Sequence, residues 1–97
     1  MVKLLRRPFN EESHVYHVFV VRCEDRNRLQ KYLNEKGIST LIHYPCCPHR
    51  QKAYKEFVGE QYPVAEKLES EVLSIPISPV MLEEEVDFVI DALNTFV

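Results

Sequence analysis

The sequence predicts an α/β fold of the α+β kind, a two-layer sandwich in which a small sheet is covered by helices. Three observations point there. Residues 14–23 are β-branched and aromatic with apolar groups on both faces, the pattern of a central strand covered on both sides. The spacing then becomes helical up to Gly37, and residues 39–44 return to strand composition. Two later stretches carry apolar stripes at intervals of three and four, one starting at Pro63 and one reaching Phe96, as helices packed on a sheet do. With 97 residues, 45% of them hydrophobic, the chain has the size of one domain and can bury roughly 60–65% of its unfolded surface.

Residues 1–13 mix charges, Pro8 and an Asn-Glu-Glu-Ser cluster without periodicity, so they read as an extended lead-in to a single domain over residues 14–97. After the strand at 14–23, Asp25 offers an oxygen to cap a helix whose stripe is Leu29, Tyr32 and Leu33. Gly37 can take the left-handed conformation that ends it, and Lys36 suits the negative end of the helix dipole. A second strand over 39–44 completes a strand-helix-strand unit, whose strand direction the pattern leaves open.

Residues 51–58 predict about two helical turns stopped by Gly59. Pro63 fits a first helical position, with Val64, Ala65, Leu68 and Val72 as the stripe and Glu66, Glu69 and Glu71 facing water beside Lys67. Residues 74–79 are too proline-rich for a central strand and suit an edge or extended crossing. In the last helix Val86, Val89, Ile90, Leu93 and Phe96 form the apolar face, while Glu83, Glu84 and Glu85 favour the positive dipole end. Leu82 occupies the cap position, where a residue without a side-chain acceptor costs about 1 kcal/mol.

A formal charge of -3 gives no broad positive field for phosphates, so nucleic acid is not an expected partner. Only Gly37 and Gly59 are present, which excludes a glycine-rich phosphate loop. Three cysteines, two of them adjacent, do not form a disulfide framework and read as reduced thiols. No stretch approaches the ~20 apolar residues of a membrane span, and the start lacks a signal-peptide pattern. The expectation is a soluble, cytoplasmic protein with no membrane partner.

Reactive side chains cluster in one segment, residues 37–51, where Pro45 and Pro48 bracket Cys46 and Cys47 and two histidines flank them. His43, Cys46, Cys47 and His49 are all possible ligands for zinc or copper. Adjacent cysteines diverge, however, and the two prolines restrict the wrapping a four-ligand shell needs. A small buried cysteine beside a surface thiol is the favoured reading, and no metal is expected. A thiol activated by His43 or His49 is conceivable but has no specific partner in the sequence. His14 and His17 fall on opposite faces of their strand, one expected in the core and one near the surface. The acidic residues from Glu83 to Asp91 are explained by a solvated helix face.

Six pieces occur in the order and spacing of the C-terminal part of DegT/DnrJ-type sugar aminotransferases: VYHVFVVR at 15–22, LQKYLNEKGI at 29–38, IHYP at 42–45, HRQKAY at 49–54, YPVAEKL at 62–68 and LSIPI at 73–77. On them the chain resembles that family from His14 to Phe96. The resemblance implies pyridoxal phosphate enzymes of the aspartate aminotransferase fold (fold type I), which move an amino group, usually from glutamate, to a nucleotide-linked keto sugar in amino-sugar or cell-surface polysaccharide biosynthesis. It implies a large cofactor-binding domain as partner, a small C-terminal domain that this chain matches, and a homodimer with active sites at its interface. The cofactor-linking lysine belongs to the large domain, and none of the six lysines here sits in a matching context, so the chain alone is not expected to bind cofactor or transaminate.

By the same resemblance His43, Tyr44 and His49 are the substrate-binding residues. Tyr44 would donate a hydrogen bond to the sugar or a carboxylate, with both histidines contacting substrate. No catalytic residue is assigned. Cys46-Cys47-Pro48 departs from the family, where apolar or small residues are common. The competing reading is a free-standing strand-helix-strand module for ligand binding or assembly.

Overall fold

The computed structural model describes residues 1–57 and 59–97. Among them a three-stranded sheet, antiparallel throughout, runs in the order β1 (Val2–Leu4), β2 (Phe19–Cys23), β3 (Val72–Ile75). Helix α1 (Arg26–Glu35) follows β2, α2 (Pro63–Glu71) leads directly into β3, and α3 (Glu83–Thr95) ends the fold. The α/β character and the central place of β2 are as the sequence predicts.

Pairing parity divides the two faces of the sheet. Phe19↔Ile75 and Val21↔Leu73 face the core, where Leu29, Leu33, Ile38, Val89 and Ala92 close over them. The alternate pairs, Val20↔Ser74 and Arg22↔Val72, turn to the opposite face. Helices α1 and α3 therefore cover one side, and Val20, Arg22, Val72 and Ser74 point to the other.

Several expectations are corrected. The strand predicted from residue 14 starts only at Phe19, because the chain turns at Tyr16, whose φ is +48° and whose N–H donates to His14 Nδ1 at 2.8 Å. Both His14 and His17 are exposed, so neither is a core histidine. Residues 39–44 form no strand of their own. They meet the sheet at one antiparallel bridge, Leu41↔Ser74, and β3 takes the place expected of them. The lead-in contributes β1 to the sheet. Asp25 stands at the start of α1 without a side-chain cap bond and instead accepts from Arg28 Nε at 2.9 Å. The turns predicted over 51–58 are a kinked 3-10 stretch, Lys52–Phe57, with Val58 outside the described residues.

The end of α1 is built as expected and more completely. Gly37 has φ +83°, Gly37 N–H donates to Asn34 O and Ile38 N–H to Leu33 O, the two bonds of a Schellman motif. Leu33 and Ile38 are both buried, which supplies its hydrophobic contact. A Cβ on Gly37 would meet nothing within 4 Å, so Gly37→Ala carries only the left-handed backbone penalty. We expect a loss of about 1–2 kcal/mol in urea unfolding, and an unchanged midpoint would contradict it.

Helix α3 starts as anticipated, with extended Leu82 providing no side-chain cap. Its far end is clamped: Tyr32 Oη lies 2.8 Å from Thr95 Oγ1, and the rings of Tyr32 and Phe96 are 5.2 Å apart. Arg28 stacks over Phe96 at 4.4 Å.

Candidate functional site

The strand bridge at Leu41↔Ser74 decides where the reactive segment lies. Leu41 and Ser74 exchange both backbone hydrogen bonds, at 3.1 and 2.8 Å, and two residues on, His43 Nδ1 meets Ser74 Oγ at 2.8 Å. His43 thus stands on the sheet face that bears Ser74 and lines a cavity of about 430 Å3, shared with His17, Ser39, Ser74, Ile77 and Glu85. The His43–Tyr44 peptide is cis. Tyr44 is 71% exposed, its ring edge-on to that of His43 at 5.2 Å.

His49 is placed differently. It is only 7% exposed, its ring packs edge-on against Tyr62 at 4.8 Å, and its Nε2 lies 3.8 Å from Glu66 Oε1 without a hydrogen bond. It faces α2. Three predicted residues therefore split into an accessible pair, His43 and Tyr44, and a buried anchor.

Cys47 takes the buried place the favoured reading expects, whereas Cys46 is not the surface thiol expected. Cys47 is buried, donates to Ala65 O at 3.2 Å, and has its thiol pushed up to about 11 by burial, with the Glu69 carboxylate adding to the effect. A thiol held in that range is a poor nucleophile at neutral pH. Cys46 is half-buried. Among the described residues no cluster of three or more His, Cys, Asp or Glu side chains is placed to hold a metal ion.

An ion-pair network beneath the loop was not legible in the sequence. Arg50 binds both Glu66 and Glu69, the latter at 3.2 Å. Burial tends to raise the Glu66 carboxyl, yet the Tyr62 N–H and the Arg50 guanidinium outweigh it and hold Glu66 low. Arg22 Nε and Nη2 grip Glu71 Oε2 at 2.9 and 2.6 Å, with Glu71 only 6% exposed. The expected water-facing glutamates of α2 are thus its anchors, while Val64 of the predicted stripe is 75% exposed. The partners lie 49 and 16 to 19 residues apart in sequence, beyond the reach of any local pattern.

The Arg22 hydrogen bonds depress the Glu71 carboxyl below its ordinary 4.5. The folded state then binds that proton less readily than the unfolded chain, so this stabilisation is present above about pH 4.5 and is lost as pH falls through the folded value. We expect urea midpoints to decline on the acid side, and the decline to flatten in Arg22→Met. Parallel profiles for the two proteins would sink the assignment.

Among the described residues no helix is long and apolar enough to cross a membrane. Exposed apolar groups gather elsewhere, with Leu4, Leu5, Phe9, Val15 and Tyr16 lining a groove of about 820 Å3.

Comparison with known proteins shows what this arrangement is similar to. A family model described as the DegT/DnrJ/EryC1/StrS aminotransferase family matches residues 2–94. A dTDP-3-amino-3,6-dideoxy-alpha-D-galactopyranose transaminase from Aneurinibacillus thermoaerophilus is 52% identical over 87 residues, covering 90% of this chain and 24% of that protein. Among solved structures, S. venezuelae DesV in complex with a ketimine intermediate matches with a TM-score of 0.83 at 36% identity, over 95% of this chain and 25% of that one. The ntda structure from Bacillus subtilis with bound cofactor PMP gives 0.82 at 33% identity, over 96% and 22%. The chain spans about a quarter of the length of these relatives.

Proposed function

The chain belongs to the DegT/DnrJ/EryC1/StrS aminotransferase family, and from that we propose that it is the C-terminal small domain, strand β1 included, of a pyridoxal-phosphate-dependent aminotransferase acting on a nucleotide-linked keto sugar. The observation that carries the reading is the unbroken family match over residues 2–94, which includes the segment bridged to β3. In this reading His43 and Tyr44 form one wall of the substrate site. Tyr44 offers a phenolic donor at the surface, and His43 a ring nitrogen at a cavity. His49 we assign to holding the loop on α2 rather than to touching substrate, because its ring is buried against Tyr62.

The described residues do not fit the cofactor. A cofactor-linking lysine needs a site that desolvates its amine, and all six lysines are exposed, with Lys67 reaching Glu71 and Lys36 lying over Tyr32. In this reading the cofactor site and its lysine belong to a large domain of the same enzyme. The exposed groove around Phe9 and Val15 supports such a partner, since apolar patches of that kind are commonly covered by other protein. The working enzyme in this reading is a homodimer in the cytoplasm, where its three free thiols stay reduced.

A chimera tests the proposal: this chain replaces the matching quarter of the Aneurinibacillus transaminase, and glutamate-dependent amination of that relative's keto sugar is measured. Turnover is expected. A chimera that folds and retains cofactor but transfers no amino group overturns the reading, as does a saturable, borohydride-trapped lysine adduct when pyridoxal phosphate is added to this chain alone. Without its partner the chain should self-associate through the Phe9 groove. Sedimentation should show mass rising with concentration, and a strict monomer at high concentration would count against the exposed docking face.

A further inference from the structure

Ser74 joins three connections at one point of the fold. Its backbone pairs with Val20 on one side and exchanges two hydrogen bonds with Leu41 on the other, so its Cα is held from both edges. It is only 7% exposed, and among the described residues its hydroxyl has one hydrogen-bond partner, His43 Nδ1 at 2.8 Å.

A serine hydroxyl carries a single proton, and leaving it unmatched in a buried position costs about 1–3 kcal/mol. Two arrangements of the pair exist. If the imidazole carries its proton on Nδ1, that N–H donates to Ser74 Oγ and the hydroxyl proton has no acceptor among the described residues. If Ser74 donates to Nδ1, every proton in the contact is used and the imidazole proton sits on Nε2. The second arrangement is the satisfied one. His43 Nε2 is not among the buried unpaired atoms, so that N–H remains reachable from outside.

We propose that Ser74 is a positioning residue that fixes the tautomer and ring plane of His43, so that His43 meets its ligand as an Nε2–H hydrogen-bond donor. The ligand atom is then an oxygen acceptor, of a sugar hydroxyl, carboxylate or phosphate. His43 does not serve as a proton acceptor in this geometry. The inference rests on the proposed site for its ligand but not for its tautomer, and the two are separable by experiment.

The measurement is a long-range proton–nitrogen correlation spectrum of the 15N-labelled chain, at a pH where imidazoles are neutral. His43 is expected as one tautomer protonated on Nε2. Ser74→Ala should convert it to a mixture while the Leu41 amide keeps its exchange protection, and Ser74→Thr should restore the single form. A wild-type His43 protonated on Nδ1 overturns the inference without any variant, and so does an unchanged tautomer in a folded Ser74→Ala. In the chimera, Ser74→Ala should lower kcat/KM towards the level of His43→Ala, with Ser74→Thr recovering most of it. If His43→Ala leaves turnover intact while the spectra are as expected, the substrate-site reading fails and the tautomer assignment stands.

Discussion

Leu73→Ala should remove about 2–5 kcal/mol of stability, as the truncation of a fully buried leucine does. Leu73 is fully buried, pairs with Val21 in register, and shares its cluster with Leu29 and Leu33. The cavity cannot refill easily, because sheet hydrogen bonds fix the backbone on which Leu73 stands. A domain of this size has about 5–15 kcal/mol in total, so urea or thermal unfolding should move far. Val64→Ala, on the exposed side of α2, should change the same measurement by no more than about 0.5 kcal/mol. Comparable effects at the two sites would mean that the core is not where the sheet parity places it.

The second large effect is on turnover. In the chimera, His43→Ala should lower kcat/KM by about tenfold to a hundredfold, the equivalent of losing one hydrogen bond to a polar or charged substrate group. Thermal stability should fall much less, since His43 is only part-buried and sheds one contact with Ser74. His49→Ala should invert the pattern, lowering stability by vacating the space against Tyr62 while turnover of the surviving folded enzyme changes little. Equal kinetic losses for both histidines would return His49 to the substrate wall.

Those two histidines mark the boundary of what the sequence makes legible. Composition and order locate the segment, and strand and helix periodicity places β2, α1 and α3. Nothing in residues 43–49 shows which ring is buried, because the deciding partners, Ser74 and Tyr62, come from later elements. The same limit explains α2. Its alternation of Glu and apolar residues looks like a solvated face, but Arg22 and Arg50 arrive from distant parts of the chain and turn Glu66, Glu69 and Glu71 inward. Local signals mislead in the opposite sense at residues 14–18, where strand-forming side chains occupy a turn. Strand β1 is missed because three residues with a lysine at their centre carry no period long enough to read.

The uneven anchoring of α3 sets how that helix yields. Its last turns hold buried Val89 and Ala92 and are pinned through Thr95 and Phe96 to α1, whereas its first turn has no side-chain cap and is held by nothing comparable beyond the favourable charge of its glutamates. Amide exchange should therefore rise steadily from the C-terminal end towards Glu83, as local opening costs less free energy there. Met81 and Glu85, at that soft end, border the same cavity as His43 and Ser74. One rim of the cavity is set by strand hydrogen bonds and the opposite rim by a helix turn without a side-chain cap. If the cavity takes the substrate proposed above, a change of ligand bulk should alter amide exchange at Glu83–Val86 while the Leu41 and Ser74 amides keep theirs.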